Sequence, residues 1–268
     1  MPELPEVETT VRGLSKVLKG RRIQRVETRR ADLRRSFPDD LGQRLIGATV
    51  TGLARRAKYG LIHTDRDDTM VFHLGMSGSW RINRAEVETH DHLLLETDKG
   101  TRLALNDPRR FGSVDLVPTR ELADWPPFKA LGPEPLDLDA RELKRRLAGR
   151  SASIKLLLLD QSIVAGLGNI YVCEALFRAG IHPRRAGGSV SLARLKRLVP
   201  AIHDVLAEAI EVGGSSLKDF ASPDGELGYF SKRFEVYGRE GRPCRCGGAV
   251  KRIVHGGRST FYCPKCQR

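Results

Sequence analysis

Met1-Pro2-Glu3-Leu4-Pro5-Glu6-Val7-Glu8 opens the chain, and the residues after it set the first element of the fold. Proline suits the first turn of a helix: its fixed φ is already helical, and its missing N–H would have no partner there. Pro5 therefore opens a helix, Val7, Val11, Leu14 and Leu18 fall on one face at helical spacing, and Gly20 ends the run. Acids favour this end of a helix dipole, so on one reading Glu3 and Glu6 are ordinary helix-start residues. The other reading is chemical. Initiator methionine is usually removed before a small residue, which would leave Pro2 with a secondary amine. An α-amino group titrates at about 7.7–8.0, against about 10.4 for lysine, so a neutral fraction exists at physiological pH without burial. Attack of that amine on a sugar C1′ gives an iminium ion that draws electrons from C2′, so base displacement and strand scission can follow at one site. Glu3 and Glu6, beside it, are placed to manage protons.

Outward from this helix, residues 21–117 read as short strands, with Val71-Phe72-His73-Leu74 and His92-Leu93-Leu94-Leu95 as examples. Asp98-Lys99-Gly100 separates two such runs as a hairpin turn. Strands without intervening helices predict a β-sandwich or barrel. Residues 118–136 carry Pro118, Pro126, Pro127, Pro133 and Pro135 and read as a linker. Beyond it, apolar residues three or four apart predict helices near 139–148, 153–160, 169–179 and 191–212, with Pro200 kinking the last or marking its start. No internal repeat or low-complexity tract interrupts the chain.

Length and charge narrow the function classes. A chain of 268 residues makes one or two domains. Lys and Arg number 46 against 33 Asp and Glu, a formal net charge of +13, which attracts polyanions and nucleic acid first among them. The plain alternative is a basic, solvated surface. The proline-broken, acidic start is neither a signal nor a transit peptide, and no apolar run is long enough to cross a bilayer. An intracellular location is expected, where structural disulfides are uncommon.

Four of the five cysteines lie in the last 25 residues: Cys244-Arg245-Cys246, then Cys263-Pro264-Lys265-Cys266. Two thiolate pairs on the arms of a short ribbon suit one tetrahedral zinc, structural because no position is left for water. Disulfides or free thiols are the alternative. The first pair is C-x-C rather than C-x-x-C, which tightens that knuckle and makes Cys244 the questionable ligand; Gly247 and Gly248 relax the backbone. Arg242, Arg245, Lys251, Arg252, Arg258, Lys265 and Arg268 make the ribbon basic enough to reach phosphates or a groove. Cys173 sits in an apolar helical pattern and reads as core.

Two further constellations are ambiguous by themselves. Ile163-Val164-Ala165-Gly166-Leu167-Gly168-Asn169-Ile170-Tyr171 is either a plain helix–helix turn or a helix N-terminus offered to a phosphate, with Asn169 available as a cap. Gly75-Met76-Ser77-Gly78-Ser79 and Asn106-Asp107-Pro108-Arg109-Arg110-Phe111-Gly112 are tight loops after strands. Met76, Arg109 and Phe111 are either wedges for a duplex or packed and solvated side chains.

Together the opening octapeptide, His73-Leu74-Gly75-Met76-Ser77-Gly78-Ser79, Asp107-Pro108-Arg109-Arg110-Phe111-Gly112, Gly166-Leu167-Gly168-Asn169-Ile170-Tyr171 and Phe261-Tyr262-Cys263-Pro264-Lys265-Cys266-Gln267 resemble the formamidopyrimidine-DNA glycosylase family, in the family's order and over nearly the whole chain. The resemblance implies an α+β multidomain fold: an N-terminal β-sandwich with its helix (1–117), a linker (118–136), a helix-two-turn-helix module with a lesion-closing loop (137–230) and a zinc ribbon (231–268), with DNA in the cleft between domains. It implies Pro2 as Schiff-base nucleophile, Glu3 as proton donor, Lys58 in β-elimination, and Arg258 in δ-elimination and phosphate grip. By the same matching, His90, Arg150 and Asn169 contact the DNA backbone, and Met76, Arg109 and Phe111 fill the gap left by an extruded nucleotide. Lys218, with Gly225 and Gly228, belongs to the loop that closes over the base. Tyr59-Gly60 after Lys58 departs from the more aliphatic run expected there.

The expected activity is a bifunctional glycosylase and lyase acting on oxidised purines in double-stranded DNA, with one structural zinc, no membrane association, a monomeric state and a bacterial cytoplasmic, nucleoid-associated location. Two rivals stand beside it. A sister enzyme of the endonuclease VIII type would prefer oxidised pyrimidines; Leu4 and the Arg109/Phe111 pair favour the purine branch. A non-catalytic zinc-ribbon DNA binder explains the charge and the cysteines and leaves the N-terminus unexplained.

Overall fold

Residues 2–83, 86–215, 223 and 228–268 are described by the computed structural model of the protein. By its internal contacts the chain forms two compact units, Met1–Lys129 with Val212–Tyr229, and Ala130–Glu211 with Phe230–Arg268.

The first unit begins with helix α1, Leu4–Leu18, with Glu3 at its N-cap and Pro5 in its first turn. The Glu6 carboxylate turns back to accept the Glu3 N–H at 2.8 Å, satisfying a donor that has no partner within the helix. Val7, Val11, Leu14 and Leu18 are buried together on one face, each contributing roughly 1.5–3 kcal/mol by removal from water. Strand β1 (Ile23–Thr28) and a one-turn helix α2 (Leu41–Leu45) follow. The α2 turn corrects the expectation of strands alone: Leu41 and Leu45 bury themselves in the same core.

Then come β2 (Val50–Arg56), β3 (Tyr59–Thr64), β4 (Asp68–His73), β5 (Ser79–Ile82), β6 (Asp91–Thr97), β7 (Arg102–Asn106) and β8 (Ser113–Pro118). They make two antiparallel four-stranded sheets, ordered β1-β6-β7-β5 and β2-β3-β4-β8. Both contribute to one core, where Phe72 of β4 meets Trp80 of β5 edge to face at 5.6 Å. This is the expected sandwich. Asp98-Lys99-Gly100 makes the β6–β7 turn, with Gly100 at φ +73°. The Tyr59-Gly60 departure has a steric reason: Gly60 pairs with Phe72, and a Cβ there would lie 2.0 Å from the Phe72 ring. Tyr59 is met by Trp125 and Phe128 of the proline-rich segment, which forms the short helix α3 (Pro126–Lys129).

The second unit contains α4 (Ala140–Leu147), α5 (Ile154–Leu159), α6 (Asn169–Arg178), α7 (Leu192–Glu211) and the ribbon β9 (Lys251–His255) and β10 (Arg258–Tyr262). Asp139 caps α4 through the Arg141 and Glu142 N–H groups, which also pull its carboxyl below the usual range. Arg178 on α6 holds Glu208 on α7 through two bonds, at 2.7 and 2.9 Å. Pro200 neither starts nor divides α7; it sits on the exposed side while Leu195, Leu198, Ile202, Val205 and Leu206 stay buried along the other. Cys173 is buried in α6, as expected.

Candidate functional site

The N-terminal segment is held from two sides. Pro2 is buried, and Glu3 and Glu6 are 2% and 1% exposed. While one Glu6 oxygen holds the Glu3 N–H, the other accepts both the N–H (2.8 Å) and the hydroxyl (2.9 Å) of Ser215. Gly214, at φ +82°, leaves only 3.0 Å between a would-be Cβ and the same Glu6 oxygen, so the chain passes close by with no side chain between. Ser215 was not singled out from sequence; 209 residues separate it from Glu6. Met1 lies outside the described residues.

Lys58 occupies the β2–β3 turn beside Ala57, whose φ of 53° is uncommon for a residue with a Cβ. Its charge bears on His73, the residue at the end of β4 that sequence reasoning also passed over. Burial, then the positive charges of Lys58, Arg34 and Arg35, push the His73 ring down to about 4. The ring is therefore neutral at physiological pH. Its Nδ1 accepts the Gly75 N–H at 3.0 Å, so the ring proton sits on Nε2, available to donate. His73 lines a cavity of about 300 Å³ with Arg34, Arg35, Tyr59, Phe111 and Ser113. Two arginines and a neutral donor around one concavity suit an anion.

The two glycine loops meet. Gly75, at φ +60°, lies so close to the second loop that a Cβ there would be 2.3 Å from the Phe111 carbonyl carbon. Met76 is half-buried, and Arg109 and Phe111 are exposed; Phe111 keeps 46% of its surface open, against the core-packing alternative. The Arg109 guanidinium lies over the Phe111 ring at 4.8 Å. His90 is exposed in the loop before β6, and its carbonyl accepts the Asp107 N–H at 2.9 Å.

In the second unit, Asn169 does not cap α6. Gly168 takes the N-cap position, and Asn169 Nδ2 instead donates to the Ser259 carbonyl at 2.9 Å. Ser259 follows Arg258, which stands exposed at the ribbon tip after Gly256 and Gly257, both at positive φ. Lys155 of α5, fully buried, donates to Thr260 Oγ1 at 2.6 Å, and Ser153 meets His255 at 3.0 Å. Arg150 is exposed in the turn after α4, its carbonyl accepting the Gly188 N–H at 2.9 Å. Lys218 and Gly225 lie outside the described residues.

The four ribbon cysteines converge, with ligand sulfurs all within 4.8 Å of one another. Cys244–Cys266 and Cys246–Cys263 are 3.7 and 3.5 Å apart and are not disulfides. Thiolates around tetrahedral zinc at about 2.3 Å stand about 3.8 Å from each other, so the set fits one structural zinc held by Cys244, Cys246, Cys263 and Cys266. The short knuckle keeps Cys244 in place: Gly247, at φ +75°, donates its N–H back to the Cys244 carbonyl, and the Gly248 carbonyl accepts the Cys244 N–H. The Gly248 N–H draws the Cys246 thiol down to about 7, while burial raises the thiols of Cys244 and Cys266.

Known proteins resemble the chain over its whole length. The family model for the formamidopyrimidine-DNA glycosylase N-terminal domain matches residues 1–114, that for the formamidopyrimidine-DNA glycosylase H2TH domain residues 131–221, and that for the zinc finger found in FPG and IleRS residues 243–268. Proteins named formamidopyrimidine-DNA glycosylase from Novosphingobium aromaticivorans and Rhizorhabdus wittichii are each 68% identical over 270 residues, covering both chains fully. Among solved structures, Lactococcus lactis Fpg in complex with an abasic site containing DNA has a TM-score of 0.92 at 35% identity over the whole of both chains. Wild-type Lactococcus lactis Fpg with an N7-benzyl-Fapy-dG containing DNA gives 0.92 at 36%, again over both whole chains.

Proposed function

The chain belongs to the formamidopyrimidine-DNA glycosylase family, and from that membership we propose that it excises oxidised purines, 8-oxoguanine and formamidopyrimidines, from duplex DNA and then cleaves the strand at the resulting site. The observation that carries the reading is the buried Pro2-Glu3 segment with its backbone pinned by Glu6, in a chain 68% identical end to end to named glycosylases.

The Pro2 amine, freed of Met1 and unprotonated, forms a bond to C1′ of the damaged nucleotide. The base departs with the glycosidic electron pair and takes up a proton, and the nitrogen gives up its own proton, which restores its lone pair. Opening of the sugar places the O4′ electrons on oxygen, which is protonated by Glu3, and the nitrogen lone pair completes the iminium. Loss of a C2′ proton, assisted by Lys58, expels the 3′ phosphate; a second elimination, assisted by Arg258, expels the 5′ phosphate. Glu6 anchors Glu3 rather than reaching the sugar. The base is reached only outside the stack. Met76, Arg109 and Phe111 occupy its place, His90, Arg150 and Asn169 hold the backbone, and Lys218 also binds the DNA. The zinc holds the ribbon that presents Arg258 and takes no part in bond breaking. Among the described residues no helix is long and apolar enough to cross a membrane; a single chain working on duplex DNA in a bacterial cytoplasm is the setting that fits.

Borohydride trapping on an 8-oxoguanine duplex tests this directly. A covalent adduct forms with the wild type, and Pro2→Gly loses most of it; absence of an adduct on every oxidised base tried refutes the scheme. A parallel thymine glycol substrate separates purine from pyrimidine preference, and intact mass reports whether Met1 is removed.

A further inference from the structure

Asp107 is wholly buried, 0% exposed, at the point where the loops of the first unit converge. Its Oδ1 accepts the Ser77 hydroxyl at 2.8 Å, in the turn that carries Met76. Its Oδ2 accepts the Gly112 N–H at 2.8 Å, immediately after Phe111. Its own N–H donates to the His90 carbonyl at 2.9 Å. Its carbonyl accepts from His92 Nε2 at 3.0 Å and from the Arg110 N–H at 3.2 Å. The Ser77 hydroxyl oxygen in turn accepts the Arg109 N–H at 3.2 Å. Met76, Arg109, Phe111 and His90 are each bonded to this network through their own backbone or an adjacent residue. Arg110, at φ 57°, holds a left-handed conformation within the same turn, a strain that persists only where surrounding bonds fix it.

A carboxylate suits this place for a simple reason. It offers two acceptors and no donor, and it faces one O–H and one N–H. Asparagine keeps one acceptor and presents an NH₂ to the other partner; a rotated Ser77 hydroxyl accepts it, so part of the network survives. Alanine keeps nothing.

Building on the excision reading above, we propose that Asp107 is the positioning residue that holds the Met76, Arg109 and Phe111 wedge and the backbone-contacting His90 as one rigid unit, and so governs extrusion of the damaged nucleotide rather than the bond chemistry at Pro2. A wedge whose parts move independently leaves the duplex closed more of the time, while an already open sugar reaches Pro2 as before.

Two substrates separate these effects. Single-turnover excision from an 8-oxoguanine duplex requires extrusion. Borohydride adduct formation on a single-stranded abasic oligonucleotide does not. Asp107→Ala slows the duplex reaction by roughly ten- to a hundredfold, the scale of loss when reacting groups are misplaced by about 1 Å, and leaves the single-strand adduct unchanged. Asp107→Asn falls between, and Ser77→Ala shows the same asymmetry. In 2-aminopurine placed beside the lesion, the rise in fluorescence on binding shrinks in the same order. Duplex excision at the wild-type rate in Asp107→Ala, or equal loss on both substrates, overturns the positioning role. If Asp107→Ala does not fold, Ser77→Ala decides by the same comparison. A wild-type protein inactive on both substrates instead removes the excision reading itself.

Discussion

Replacing Glu6 by Gln changes one oxygen to an NH₂ with almost no change of shape, in a side chain only 1% exposed. In the native arrangement one oxygen faces the Glu3 N–H at 2.8 Å, and the other faces the Ser215 N–H and hydroxyl at 2.8 and 2.9 Å. Glutamine has a single acceptor oxygen. Whichever way the amide turns, its NH₂ meets a backbone N–H, either that of Glu3 or that of Ser215. A buried donor left unmatched costs about 1–3 kcal/mol, and the bonds that remain lose the strengthening that a charged acceptor gives. At about 2 kcal/mol, and roughly 2–4 °C per kcal/mol for a chain of this size, melting falls by roughly 4–8 °C. Calorimetry reads it and resolves units that melt separately. The loss reaches the chemistry because Glu3 directly follows Pro2: borohydride trapping on a lesion duplex slows by up to about a hundredfold. Ser215→Ala alone weakens the same anchor, and the double variant shows a coupling on the order of 0.5–3 kcal/mol because both changes act on one network. A Glu6→Gln protein that melts and traps with the wild type refutes this account of the N-terminus.

Gly60→Ala sets a methyl carbon 2.0 Å from the Phe72 ring; the forced shift costs about 1–3 kcal/mol in a denaturant melt, and Phe72→Leu in the same chain recovers part of it. Elemental analysis gives one zinc per chain, and Cys244→Ser lowers it as far as Cys246→Ser does; full zinc in the Cys244 variant removes that residue from the ligand set. Chelation opens residues 243–268 to protease; an unchanged cleavage pattern contradicts a structural metal. His73 sits at about 4 in the folded chain, against about 6.5 unfolded. On acidification the unfolded state therefore takes up the proton first. His73 contributes full stability above the unfolded value and loses it as pH falls through the folded one. The stability difference between wild type and His73→Asn should shrink across that window, and a difference flat in pH rules the burial account out.

What the sequence makes legible is whatever is local. The α1 stripe, the Asp98-Lys99-Gly100 turn and the two cysteine pairs each carry their signal within a few residues, and the structure puts them where spacing predicts. Pro200 does not mark the start of α7: a proline inside a helix costs about 3 kcal/mol in isolation, but here the buried row from Leu195 to Leu206 runs past it. Asn169 was read as a cap for its own helix, since a cap is a local bond; its partner proved to be Ser259, 90 residues away. Tyr59-Gly60 looked like an irregularity until the cross-strand neighbour, Phe72, was known. The site divides the same way. Pro2 and Glu3 are visible in the motif, but the Ser215–Glu6 and Ser77–Asp107 bonds join residues far apart in the chain, which no local pattern announces.

Those holding groups share a chemistry. Glu6 takes the N–H of Glu3 and both donors of Ser215. Asp91, 1% exposed, takes Arg81, the Asn106 amide and the Glu88 N–H, fixing the loop that ends in His90. Asp107 takes Ser77 and Gly112. Glu174, fully buried, takes the successive N–H groups of Glu235, Val236 and Tyr237 at 2.9, 3.0 and 2.8 Å, although burial still pushes its carboxyl up. Loops present donors that strands and helices leave over, and a carboxylate meets several of them with one side chain. A buried anion is costly in a neutral environment. In a chain with a net charge of +13 the surrounding field offsets part of that cost, so the positive charge suited to a polyanionic substrate also favours the buried acids that hold these loops.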